Sequence, residues 1–296
     1  MNEQKRMGRF QKTLILLLCV LLLVSFVLLI VLTAKVRAGV KNRPVPSTPG
    51  SAESRQPDDS GSAGESGSDQ PPEETSQHSD VALGLTADAG SDYQNSIVFI
   101  GDSTTAHLRS RGVLEGGTDT KQVWCPSNNT LLLTSEIASL KIVYPDTGEE
   151  LTIGQAAQAK KPAFVIVTVG INGVIAFSKN TDLFENCYQL LIDTIRQSSP
   201  DTVLMLQSVF PVSAGCDSFS VNAASVNECI DLINKSVRKL CRENGLHYLD
   251  TQSVLKGSDN MMLPEYDNGD GIHLTKNGYQ VILEYIRTHV PPEWKN

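Results

Sequence analysis

Aromatic residues make up only 6% of the 296-residue chain. No two of its six cysteines stand at C-x-x-C spacing, and it contains neither a Gly-rich phosphate loop nor a dinucleotide fingerprint. The last two absences exclude the nucleotide cradles on which phosphoryl-transfer and hydride-transfer enzymes are built. Five of the cysteines fall at 125, 187, 216, 229 and 241. An odd set without ligand spacing speaks against structural zinc. Cys187, Cys229 and Cys241 lie in expected helices, where they read as small buried apolar residues. Positive charge is scarce as well. The formal net charge is −8, and the stretch 44–80, with eight acids against one arginine, supplies −7 of it. What remains is near neutral and carries no basic stripe, so nucleic acid is not expected as a partner.

What is present divides the chain into four parts. Residues 1–12 form a basic tail with Lys5, Arg6, Arg9 and Lys12. Residues 13–34 carry no charge at all, and as a helix they would cross a hydrocarbon core of about 30 Å. The run is longer than the apolar core of a cleaved leader and is followed at once by Lys35 and Arg37, so it reads as an uncleaved membrane anchor. Residues 35–91 read as a disordered linker. Their central stretch, 44–80, holds nine Ser, six Pro, four Gly and no aromatic residue, too little apolar surface to offset chain entropy. Residues 92–296 read as one folded domain. The basic residues flanking the anchor tie at four on each side. The short tail and the long, acidic C-terminal part then favour a cytoplasmic N-terminus and an external domain.

Within 92–296, apolar runs at 96–100, 122–124, 163–169, 203–209 and 247–249 read as strands, and 142–144 with 150–153 as a β-hairpin around Pro-Asp-Thr-Gly. Helical spacing covers 104–111, 181–198, 225–244 and a last segment from Thr275. Buried strands alternating with amphipathic helices predict an α/β fold, a parallel sheet between two helical layers. Ligands of such sheets bind beyond the carboxyl ends of the strands, and the chemically useful residues fall there. Ser103 follows the first strand in Gly101-Asp102-Ser103, at a helix N-terminus that favours developing negative charge. A hydroxyl needs a neighbouring base, and Asp270-Gly271-Ile272-His273 offers one, with a carboxylate placed to accept the imidazole Nδ1–H. Asn172, in Gly170-Ile171-Asn172, follows the 163–169 strand and can donate to an oxyanion without titrating. His107, four residues after Ser103 on the same helix face, is a second candidate base, without a carboxylate to orient it.

Together these residues resemble the SGNH hydrolase, or GDSL esterase/lipase, family. The first block is Ile97 to Ser103, the third is Gly170-Ile171-Asn172-Gly173, and the fifth is Asp270 to His273 with Leu274, Gly278 and Tyr279. The likeness covers about 96–289, and the first and last blocks are its specific parts. It implies a flavodoxin-like three-layer fold and a triad of Ser103, His273 and Asp270. Asn172 and the Ser103 amide would line the oxyanion hole, with Gly101, Asp102 and Gly170 shaping the site. It also implies no metal or organic cofactor. Two positions depart from the pattern. Gly173 stands where the family usually has Asp, and the second-block Gly has no counterpart, so the third oxyanion donor falls to the amide of Ser127 or Asn128. The expected activity is hydrolysis of acyl esters, acetyl above all, on small molecules or cell-envelope glycans. An O-acyltransferase using the same triad, or a non-catalytic glycan-binding domain, are the alternatives.

Overall fold

The computed structural model describes residues 81–295. The basic tail, the apolar run 13–34 and the low-complexity stretch 44–80 lie outside the described residues. Among the described residues no helix is long and apolar enough to cross a membrane.

The elements follow in chain order as α1 (Gly90–Asn95), β1 (Ile97–Gly101), α2 (Ser103–Ser110), β2 (Val123–Trp124), β3 (Lys141–Val143), β4 (Glu150–Thr152), α3 (Ile153–Lys160), β5 (Phe164–Thr168), α4 (Val174–Ser178), α5 (Thr181–Ser198), β6 (Val203–Gln207), α6 (Ala223–Asn244), β7 (His247–Leu249) and α7 (Lys276–Arg287). Five strands form the central sheet in the order β2-β1-β5-β6-β7, all parallel. Each strand is short and nearly every residue is buried, because both faces are covered. The pleat divides β1 between two cores. Val98 and Ile100 join Val165, Val167 and the apolar stripes of α3, α5 and α6. Ile97 and Phe99 join Ile166, Met205 and residues of α1, α2 and α7. The result is the expected α/β fold with a parallel sheet between helical layers. The expected hairpin is also there, as β3 and β4 paired antiparallel with Lys141 opposite Thr152.

The structure departs from the sequence reading in three places. The hairpin was expected to run through Ile153, but Thr152 turns the chain instead. Its side chain accepts from the Gln155 N–H while the Gln155 side chain accepts from the Thr152 N–H, a capping box that starts α3. α1 lies where the sequence places the end of the linker. The linker also ends before residue 91. Val81 accepts from the Tyr248 N–H at 2.9 Å, and the Leu83 N–H donates to the Tyr248 carbonyl at 3.0 Å. The segment 81–83 thereby covers the outer edge of β7, an edge that would otherwise expose unpaired backbone. Three apolar residues beside a polar tract are too short a run to show a period.

The strand order places the site. β1 connects to β2 on one side, while β5 is added on the other, so the order reverses between β1 and β5. In open α/β sheets the crevice above that reversal is where ligands bind. The residues that leave β1 and β5 at this point are Asp102-Ser103 and Val169 to Asn172.

Candidate active site

β1 runs into α2 through a turn that allows no side chain at residue 101. A Cβ on Gly101 would collide with the Thr168 carbonyl of β5 and the Thr105 side chain. Asp102 then caps α2, its Oδ1 accepting from the Thr104 N–H at 3.0 Å and the Thr104 hydroxyl at 2.8 Å. This cap sets Ser103 at the first position of the helix. Asp102 is 1% exposed and its Oδ2 finds no partner. Burial pushes its carboxyl up to about 6, against the Thr104 bonds and the nearby His273.

From the far end of the chain, the loop before α7 brings His273 to the serine. The His273 Nε2 lies 2.8 Å from the Ser103 Oγ, and its Nδ1 lies 2.7 Å from the Asp270 Oδ2. The other oxygen of Asp270 accepts from the Ile272 and His273 N–H groups at 2.9 and 2.8 Å. Partial burial opposes ionisation of this carboxyl, but the donors from His273 and Ile272 outweigh it and hold it down at about 2. The carboxylate is therefore present whenever the imidazole could take a proton. Tyr279 anchors the arrangement from α7, its hydroxyl donating to the Thr104 carbonyl at 2.7 Å. Ser103, His273 and Asp270 are thus brought together.

The oxyanion candidates are placed less tightly. Asn172 follows β5, and one hydrogen of its amide points to the Leu131 carbonyl at 3.4 Å. That contact draws the 126–131 turn to the site. The turn is closed by the Asn129 N–H on the Pro126 carbonyl at 2.8 Å, with Asn129 at φ 56°. Ser127 and Asn128 are exposed on it. Gly170 lies against Val209, Ile233 and Phe184. His107 does not reach Ser103 as a base. Its ring packs against His273 instead, tilted by 30° with centroids 4.2 Å apart. Among the described residues no group of three or more His, Cys, Asp or Glu could hold a metal ion. The five cysteines in this part are free thiols, with Cys187 and Cys241 buried as expected and Cys229 only partly so.

Residues 99–281 match the model of the GDSL-like lipase/acylhydrolase family. The chain belongs to that family. It is therefore an ester-hydrolysing serine hydrolase. Among solved structures, this hydrolase is similar to a GDSL-like lipase from Bacteroides thetaiotaomicron, at 16% identity over 64% of this chain and 85% of that one, with a TM-score of 0.44. It is also similar to a carbohydrate esterase family 3 protein from Talaromyces cellulolyticus, at 15% identity over 64% and 92%, with a TM-score of 0.40. A search of curated protein sequences found no match.

The structure accounts for one departure of this GDSL hydrolase from its family pattern. Residue 173 has φ 84°, and a Cβ there would sit 3.1 Å from the Phe177 ring and 3.5 Å from Leu132. Glycine suits that left-handed position, and Leu132 and Phe177 fill the space an Asp side chain would occupy.

Sequence reasoning missed Asp267, which folds the loop carrying Asp270 and His273. Its Oδ1 accepts from the Gly269 and Gly271 N–H groups at 2.8 and 2.9 Å, and its Oδ2 from the Ser213 hydroxyl at 2.6 Å. Burial works against its ionisation, but these three donors pull its carboxyl below the usual range. The only sequence signal is an acid two residues before a glycine, which is common in turns. Asp267→Ala is expected to cost about 1–3 kcal/mol of stability, because three donors lose their charged acceptor, and to lower kcat by loosening the loop. Denaturant unfolding checks the first effect, and wild-type stability would show the brace to be idle.

Proposed function

We propose that the protein is a membrane-tethered esterase that removes small acyl groups, acetyl foremost, from cell-envelope glycans, with Ser103 as nucleophile, His273 as base and Asp270 as its orienting carboxylate. The observation that carries the reading is the unbroken line from the Ser103 Oγ to the His273 Nε2 at 2.8 Å and from the His273 Nδ1 to the Asp270 Oδ2 at 2.7 Å. Along it, the Ser103 oxygen attacks the ester carbonyl carbon while its proton passes to Nε2. The negative oxygen that forms is met by the Ser103 N–H at the start of α2 and by the Asn172 amide, with the Ser127 or Asn128 N–H as third donor. The C–O bond to the alcohol breaks, His273 returns the proton to the leaving oxygen, and an acyl-serine remains. Water then attacks that acyl group, giving up a proton to His273, and the carboxylic acid leaves as Ser103 is regenerated.

The envelope as the place of action rests on the uncharged run 13–34 and the polar spacer behind it. A coil of the length of 44–80 has a root-mean-square span of about 30–35 Å, enough for a tethered domain to search the polymer around it.

Two measurements test the proposal. The full chain in detergent is offered a fluorophosphonate probe, a chromogenic acetyl ester and an O-acetylated envelope glycan. Labelling that Ser103→Ala abolishes, with acetate released from the glycan, is the expected result. Probe labelling without acetate release would move the substrate elsewhere. Protease added to intact cells should cut within 44–80 and free the catalytic domain. Full protection until the membrane is permeabilised would place the domain inside.

A further inference from the structure

The residue that the catalytic reading leaves unexplained is His107. It lies on α2, one turn beyond Ser103, and its ring packs on His273 with centroids 4.2 Å apart and planes 30° from parallel. Its Nδ1 is buried and has no hydrogen-bond partner. A residue that only filled space here would be apolar, since an aliphatic or phenyl side chain packs without stranding a polar atom. Local rules tend to be broken in this way at functional sites.

We propose that His107 is a positioning residue for ester hydrolysis, one whose ring covers a face of the His273 imidazole and holds it in the plane joining Ser103 to Asp270. The inference rests on the triad reading given above. The need for such a residue follows from the geometry of His273. Its bond to Asp270 holds the ring at Nδ1, and rotation of the side chain about Cα–Cβ and Cβ–Cγ is the motion that would carry Nε2 away from Ser103. Asp270 restrains that motion from one edge only, its own side chain being 45% exposed at the rim. A second ring packed against one face of the first blocks the rotation on that side. The gain is in orientation, where small misplacements of a reacting group carry large rate costs.

The character of the covering ring also suits its place. When His273 takes the serine proton it becomes an imidazolium, and a charged neighbour in van der Waals contact would oppose that step. The groups facing His107 are His273, Arg111 and Asp270. Burial first, then the charges of His273 and Arg111, depress the His107 basicity to about 4, with Asp270 acting in the opposite direction. His107 therefore stays neutral while its neighbour cycles through the charged form.

The test compares three substitutions in the full chain, assayed with a chromogenic acetyl ester beside Ser103→Ala. His107→Ala, which leaves the face open, is expected to lower kcat about ten-fold with KM within about two-fold. His107→Phe, which restores a flat ring without a titrating group, should return kcat to within about three-fold of wild type. His107→Lys, which puts a charge against the imidazolium, should fall below His107→Ala. Thermal unfolding of each variant identifies a loss that comes from misfolding. Wild-type kcat in His107→Ala would overturn the proposal. So would His107→Phe as slow as His107→Ala at wild-type stability, or a loss confined to KM, which would make His107 a substrate contact. If Ser103→Ala itself retained turnover, the triad reading would fail first, and this inference with it.

Discussion

Replacing Ser103 by alanine, or His273 by alanine, is expected to lower kcat for ester hydrolysis by about four to six orders of magnitude, with the double variant no slower than the worse single one. The reason is that the two side chains act as one unit. The Ser103 hydroxyl is an attacking group only while the His273 Nε2, 2.8 Å away, can take its proton. Removing the base leaves a neutral hydroxyl, and removing the hydroxyl leaves a base with nothing to activate. What would survive in every variant is attack by unactivated water on a carbonyl whose oxygen still meets the proposed donors, the N–H groups at the start of α2 and Asn172. None of the three variants should lose much stability. The backbone of residue 273 stays tied to the fold in each of them, with its N–H on Asp270 and its carbonyl accepting from the Asn268 N–H at 2.9 Å. The measurement is single-turnover kinetics on an acetyl ester together with fluorophosphonate labelling. Ser103→Ala within a hundred-fold of wild type would sink the assignment of the nucleophile. Losses that add in the double variant would mean that serine and histidine work in separate steps.

The elements that the sequence made legible are those whose pattern is set by burial on both sides or along one stripe. β1, β5 and β6 are short runs, apolar but for Thr168 and Gln207 at the ends of β5 and β6, and α5 occupies 181–198 as its spacing required. Their order also located the site, because a parallel sheet places chemistry at strand ends, and Ser103 and Asn172 stand there. What stayed hidden depends on contacts that sequence distance conceals. The capping box at Thr152 is a local signal, overridden by the apparent continuation of a strand into Ile153. The pairing of 81–83 with β7 spans most of the domain and involves too few residues to show a period. His107 was visible as a neighbour of Ser103 on one helix face, yet its ring contact with His273 depends on how a loop from the other end of the chain closes over α2. Asp267 was hidden for a similar reason, since its third donor, Ser213, is 54 residues away.

The substitution of Asp270 by asparagine separates orientation of the base from its mere presence, and it is expected to cost about four orders of magnitude in kcat. The size follows from which oxygen does what. The Asp270 Oδ1 accepts two backbone N–H groups, from Ile272 and His273, and its Oδ2 accepts from the His273 Nδ1. An asparagine must keep its carbonyl oxygen toward the two backbone donors, because the opposite flip would set its NH2 group against them. Its NH2 then faces Nδ1, which can only accept. The imidazole proton moves to Nε2, so the atom beside Ser103 becomes a donor where a base is required. Nearly the same shape and size leave the loop folded, and thermal unfolding should confirm that. The pH dependence gives a second check. Held down at about 2, the carboxylate is ionised throughout the range in which the enzyme can be assayed. The sign follows from linkage: a carboxyl depressed in the folded state contributes stability above its ordinary value near 3.8, lost as pH falls through about 2. Asp270 therefore adds no limb to the wild-type activity profile near neutrality, and Asp270→Asn should stay well below wild type at every pH from about 5 to 8. Recovery of wild-type turnover anywhere in that interval would contradict the tautomer argument. A variant within ten-fold of wild type would mean that other groups hold His273 in place, and the ring of His107 packed against it would be the first to test.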